Sequence, residues 1–98
     1  MKSPAEKLLE KHQNLTHSEN LKVTSHVQRE DKDSDWIINT LMFNGVSAPF
    51  KYKRKTLYKS LQGQRVNITY YPTTEEIAGF AIEVMNIVRV RTVWILNN

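Results

Sequence analysis

The sequence predicts a mostly β domain with a little helix: a small antiparallel barrel of five or six strands behind a short N-terminal helix. Three observations lead there. The chain has 98 residues, enough for one domain. Short runs rich in β-branched and aromatic residues are separated by turn signals at Glu30–Asp35, Asn44-Gly45 and Gly63. There is no cysteine, which excludes a disulfide scaffold, a cysteine zinc site, an iron–sulfur cluster and a thiol nucleophile. The fold therefore rests on apolar burial by the 40% of residues that are hydrophobic.

Ser3-Pro4-Ala5-Glu6 is a helix start, with serine as cap, proline at the first helical position and glutamate reaching back. Ala5, Leu8, Leu9 and His12 then form a narrow stripe at helical spacing. Residues 1–20 are read as this helix and a linker, and residues 21–98 as one β domain. Leu21, Val23, Ser25 and Val27 alternate as one face of a strand. The charged run Glu30–Asp35 is a solvated turn, and Trp36–Phe43, apolar on both faces, is a central strand. Asn44-Gly45 is a hairpin signal because both residues tolerate positive φ. The return strand covers about Val46 to Lys55, with Pro49 pushing its first half to an edge or bulge. Thr56–Gly63 is expected to form a short helical turn, and Arg65–Tyr71 a strand that stops at Pro72.

Residues 73–96 support two readings. Thr73-x-x-Glu76 is a capping box, and Ile77, Phe80, Ala81, Val84, Met85 and Val88 keep helical spacing. That reading gives an α+β sandwich with a helix at about 74–88. Against it, Ile82, Val84, Ile87, Val88, Val90 and Val93 are β-branched, and Gly79 weakens a helix interior. The balance of propensities favours strands and the barrel. Leu61–Val66 followed by Asn67–Pro72 resembles the strands of OB-like and SH3-like small barrels. Such folds host many unrelated sites, so the resemblance implies architecture and no activity.

No catalytic constellation is visible. Asp31, Asp33 and Asp35 have the spacing of half a calcium loop, but Trp36 stands where glycine must turn and Met42 where a bidentate glutamate is needed. His12, His17 and His26 have no metal-ligand spacing. There is no nucleophile elbow and no phosphate-cradling glycine loop. Glu75, Glu76 and Glu83 are read as solvated carboxylates. A non-enzymatic protein without cofactor or metal is expected.

Charge is unevenly placed. Residues 1–35 carry six basic and seven acidic groups, and residues 36–98 eight basic and three acidic. Six of those basic groups fall in Lys51–Arg65, where there is no acidic residue. On a strand, Phe50, Tyr52 and Arg54 point one way and Lys51, Lys53 and Lys55 the other. A row of cations can track a phosphate backbone while exposed aromatics stack on unpaired bases. The candidate nucleic-acid contacts are thus Lys51, Tyr52, Lys53, Arg54, Lys55, Tyr58, Lys59 and Arg65, joined by Arg89 and Arg91 if the last strand lies alongside. The simpler alternative makes Phe50 and Tyr52 core residues and the lysines their solvated opposite face.

Trp36 and Trp94 are read as core. Val93–Leu96 is apolar enough to be a final paired strand or a homo-oligomer contact. The expected partner is single-stranded or structured nucleic acid. The competing expectation is a protein–protein or homo-oligomeric module using the N-terminal helix and Trp94–Leu96. No apolar stretch approaches a membrane span and Leu8–Leu9 is no secretory core, so a cytoplasmic location without membrane contact is expected.

Overall fold

The computed structural model describes residues 15–93. They form five strands: β1 (Thr16–Glu30), β2 (Ile37–Phe43), β3 (Phe50–Arg54), β4 (Arg65–Ile77) and β5 (Phe80–Thr92). The sheet closes into a barrel in the order β1-β2-β3-β5-β4, with β4 returning to β1. All pairs are antiparallel except β3 with β5. The described residues contain no helix, and hence none long and apolar enough to cross a membrane. The expected N-terminal helix and the Trp94–Leu96 segment lie outside the described residues.

Closure depends on β1, which is long enough to serve two neighbours. Its first half pairs with β4 and its second with β2. Two irregularities bend it, one between Ser18 and Leu21 and one between Val23 and Ser25. Asn20 takes φ 59° at the first, a conformation asparagine tolerates better than most residues. The second is a bulge, and a one-residue slip turns every later side chain to the opposite face. Val23 is buried, but Val27 is exposed and His26 stands opposite Leu41. The regular alternation from Leu21 to Val27 read from sequence is therefore broken halfway. The strand also begins at Thr16 instead of Leu21, so residues 16–20 are not linker.

β2 meets the central-strand expectation: Ile37, Asn39, Leu41 and Phe43 are buried, with half-buried residues between them. Val23, Leu41, Phe43, Phe50, Val66, Ile68 and Ile87 form the core. Phe50 meets Phe43 and Tyr70 edge-on at 4.9 Å, an arrangement favoured by the ring quadrupoles. Trp36 does not belong to this core. It precedes β2, is 37% exposed, and has the Lys55 ammonium over its ring at 4.2 Å.

Asn44-Gly45 makes a turn, with the Val46 N–H on the Phe43 carbonyl at 3.1 Å, but not a two-residue hairpin. The chain continues as a loop to Pro49, whose carbonyl accepts the Met85 N–H at 2.9 Å. That bond starts the parallel contact between β3 and β5, and β3 itself begins only at Phe50.

The helix reading at 74–88 is overturned: these residues belong to β4, a two-residue turn and β5. Ala78 (φ 51°) and Gly79 (φ 85°) form that turn. Positive φ at both positions is what a hairpin of right-twisted strands requires, and it stops any helix there. Nor does β4 stop at Pro72. Beyond Tyr70 it pairs with β5 alone among the described residues, and proline is tolerated on such an edge. The outer part of this hairpin, from about Pro72 to Val84, is a two-stranded arm on the barrel. The helical turn expected at Thr56–Gly63 is also absent, and the segment is an irregular loop.

Candidate functional site

The parallel contact of β3 and β5 is short. Phe50 pairs with Met85 and Lys51 with Asn86, and beyond that the strands part. The opening is a cleft of about 510 Å³ lined by His26, Tyr52, Arg54, Tyr58, Lys59, Leu61, Val90, Arg91 and Thr92. A smaller extension runs along Lys53, Ile87, Val88 and Arg89. A third cleft, of about 380 Å³, lies between β3 and the base of the arm. Tyr52 borders all three.

Alternation along β3 positions these groups. Phe50 goes into the core, Tyr52 is half-buried at its margin, and Arg54 reaches the mouth. The Arg54 guanidinium lies over the Tyr58 ring at 4.8 Å and over Tyr52 at 5.5 Å. A cation over a ring face is attracted to its negative quadrupole, so Arg54 ties the two tyrosines into one stack. Burial pushes the Tyr52 phenol above its ordinary pKa, with Arg54 opposing. The Tyr58 phenol is lowered, by hydrogen bonding to Thr56 and then to Arg54. The same cation faces one phenol in a drier setting and one in water.

The loop carrying Tyr58 and Lys59 is fastened to β1. Gln28 donates from Nε2 to the Tyr58 carbonyl at 2.7 Å and accepts the Tyr58 N–H on Oε1 at 3.1 Å. The Leu61 N–H donates to His26 Nδ1 at 2.8 Å. Because Nδ1 accepts, the ring proton lies on Nε2, which donates to Asn39 Oδ1 at 2.8 Å. Farther along, the Gly63 N–H reaches the Val23 carbonyl at 2.8 Å and the Val23 N–H the Gln64 carbonyl at 2.9 Å. His26 and Gln28 can both hold the loop because the bulge in β1 points them to this side.

The ten residues singled out from sequence therefore divide. Tyr52, Arg54, Tyr58, Lys59 and Arg91 meet in the mouth, with Lys53 and Arg89 along its extension. Arg89 and Arg91 do come alongside β3, across a gap instead of a ladder. Three others are employed elsewhere. Lys51 Nζ pairs with Glu75 Oε1 at 2.9 Å, Lys55 covers Trp36, and Arg65 donates to the Asn20 carbonyl at 3.2 Å, away from the cleft. A continuous row of Lys51, Lys53 and Lys55 does not form. Residue patterns also missed His26, Leu61, Val90 and Thr92, which complete the walls. A displaced alternation in β1 carries no mark in the sequence, and Val90 reads as ordinary core.

The Asp31–Trp36 turn is self-contained. Asp31 accepts the Asp33 N–H at 3.2 Å and the Ser34 hydroxyl at 2.9 Å, which hold its pKa below the ordinary value. Among the described residues no group of three or more acidic, histidine or cysteine side chains is placed to hold a metal. Compared with known proteins, the chain matches no family model, no curated protein and no solved structure.

Proposed function

We propose that this protein is a non-catalytic binding module that engages single-stranded or structured nucleic acid at the mouth between β3 and β5. One observation carries the reading: the Arg54-bridged pair Tyr52 and Tyr58 sits in an apolar-floored cleft rimmed by Lys53, Lys59, Arg89 and Arg91. Rings and guanidinium planes take stacked bases, and surrounding cations take phosphates. The strand order, closed through the long β1, favours an OB-like over an SH3-like barrel. OB-like barrels present β2, β3 and the loops β1–β2 and β4–β5 to oligonucleotides. In this chain the β1–β2 loop carries Asp31, Asp33 and Asp35, and the β4–β5 turn, Ala78-Gly79, is flanked on its strands by Glu75, Glu76 and Glu83. The cations therefore favour a site displaced to the β3–β5 side. A cytoplasmic setting suits this function and belongs to the same proposal.

The test is fluorescence anisotropy with labelled single-stranded DNA and RNA at about 50 and 200 mM salt. Wild type is compared with Lys53→Gln/Lys59→Gln/Arg91→Gln, whose side chains are exposed and whose fold is checked by circular dichroism. Binding that weakens steeply with salt and is lost in the variant is expected. Absence of binding by the folded protein at the lower salt ends the reading. A second reading, a protein-interaction module, is favoured by the exposed apolar tip of the arm.

A further inference from the structure

The arm is opposite in character to the mouth. From Val66 to Val88 there is no basic residue, and the three acidic ones, Glu75, Glu76 and Glu83, all lie on the arm. Cross-strand pairing puts Glu75 beside Ile82 and Ile77 beside Phe80, so Ile77, Phe80 and Ile82 share one face. That face continues through Val84, which is buried at the arm's root. At the tip nothing among the described residues covers it, and Phe80 is 72% exposed. Glu76 and Glu83 stand on the other face. A two-stranded ribbon on its own is marginally stable in water, and clustered exposed apolar side chains mark interaction sites. The Lys51–Glu75 pair braces the root of the arm against β3 and leaves the tip projecting.

We propose that the arm of one copy of this chain docks in the β3–β5 mouth of a second copy. The arm enters tip first, so that Phe80 lies against Tyr52, Tyr58, Leu61 and Val90 while Glu76 and Glu83, on the ribbon's opposite face, meet the cations at the rim. The cleft of about 510 Å³ has room for an aromatic side chain, and the charges are complementary in sign. The occupant must come from another molecule. β5 leads from the arm, through the short contact with β3, to the mouth, so Phe80 and Val90 are separated by about 33 Å of strand. A molecule cannot fold its own arm back across that distance without breaking the ladder. Because two different surfaces meet, the contact is head-to-tail, and it extends into longer assemblies unless the rotation closes a ring. The proposal uses the shape and charge of the mouth and does not depend on nucleic-acid binding.

Sedimentation equilibrium of the full chain, from low micromolar to near-millimolar concentration, reads the association. The weight-average mass is expected to rise above the 11.5 kDa monomer, less so at high salt. Phe80→Ser alters only an exposed tip, and Lys59→Glu/Arg91→Glu only the exposed rim. Each variant alone is expected to remain monomeric. Mixed in equal amounts they recombine the intact arm of one with the intact mouth of the other, giving a dimer that cannot grow. Glu76→Lys/Glu83→Lys gives a second disabled arm, independent of Phe80, and is expected to behave likewise. A wild-type chain that stays monomeric throughout overturns the proposal. So does a rim variant that still self-associates, which would mean arm-to-arm packing. Association without any oligonucleotide binding leaves this proposal standing and removes only the nucleic-acid reading.

Discussion

His26 offers a sharp test of how the mouth is built. In His26→Phe the ring is kept, but two hydrogen bonds go: the one from Nε2 to Asn39 Oδ1 and the one from the Leu61 N–H to Nδ1, each 2.8 Å. Net contributions near 1 kcal/mol apiece give about 2 kcal/mol. Asn39 is only 1% exposed, and its oxygen loses the side-chain donor that satisfied it, adding about 1–2 kcal/mol. Its Nδ2 still donates to the Ile37 carbonyl at 3.3 Å, so the loss is confined to the acceptor. The expected total is about 3–4 kcal/mol, read by urea unfolding. In a chain of this size that lowers Tm by roughly 12–30 °C. The companion variant His26→Phe/Asn39→Leu removes the stranded oxygen as well, and should recover about 1–2 kcal/mol of the loss. If His26→Phe costs less than about 1 kcal/mol, or the double variant is less stable than the single, the relay from the loop through His26 to the core is not what holds the mouth.

Three further outcomes follow from the geometry. If oligonucleotide phosphates are held at the rim, Lys59→Gln and Arg91→Gln each reduce the slope of log K against log salt by about one contact's worth, near 0.7–0.9; an unchanged slope removes that residue from the contact set. Ala78→Asn, at φ 51° before Gly79, is expected to stabilise the arm by about 1 kcal/mol, because asparagine accepts the left-handed region better than alanine. Slower amide exchange at Ile77 and Phe80 would show it. In alkaline titration by tyrosinate absorbance, Tyr58 should ionise before Tyr52, since one phenol is lowered and the other raised. The raised phenol of Tyr52 contributes stability that is fully present below the unfolded value of 10.0 and is lost as pH rises through the folded one; Tyr52→Phe should flatten that alkaline decline.

The sequence was most legible where local pattern and tertiary context agree. Ile37–Phe43 reads as a central strand, and it is one because its neighbours bury alternate residues as the pleat requires. The sequence supports two readings of 73–96 because helical spacing and β-branching coincide over Ile77–Val88. Tertiary pairing with β4 decided it, and the Ala78-Gly79 turn gave only a partial local signal, through Gly79. The bulge in β1 was not legible at all, since nothing between Val23 and Ser25 demands an extra residue. That single slip turned His26 and Gln28 toward the loop and Val27 to solvent, so the mouth's fastening was hidden with it. The basic strand was legible as a concentration of charge but not as a surface. Lysines at 51 and 55 have partners, Glu75 and Trp36, that no short window connects to them.

Charge separation along β5 bears on both proposals together. One end of the molecule presents Glu76 and Glu83 around an apolar tip, and the other presents Lys53, Lys59, Arg89 and Arg91 around two tyrosines. The net charge of +4 averages these poles and understates each. A polyanion is drawn to one pole and repelled by the other, which orients the encounter before any contact forms. The same attraction draws an acidic arm to the same pole, so on the two proposals nucleic acid and a second copy compete for one mouth. Single-stranded oligonucleotide short enough to fill one mouth, added to associated protein, should therefore return the number of protein chains per particle to one, with half-dissociation moving to higher oligonucleotide as protein concentration rises. Phe80→Ser, which cannot offer an arm, should bind the oligonucleotide more tightly than wild type at high protein concentration and equally at low. Equal binding at every concentration, with association intact, would mean that the two ligands occupy different surfaces, and the Lys59→Glu/Arg91→Glu variant then tells which of them uses the mouth.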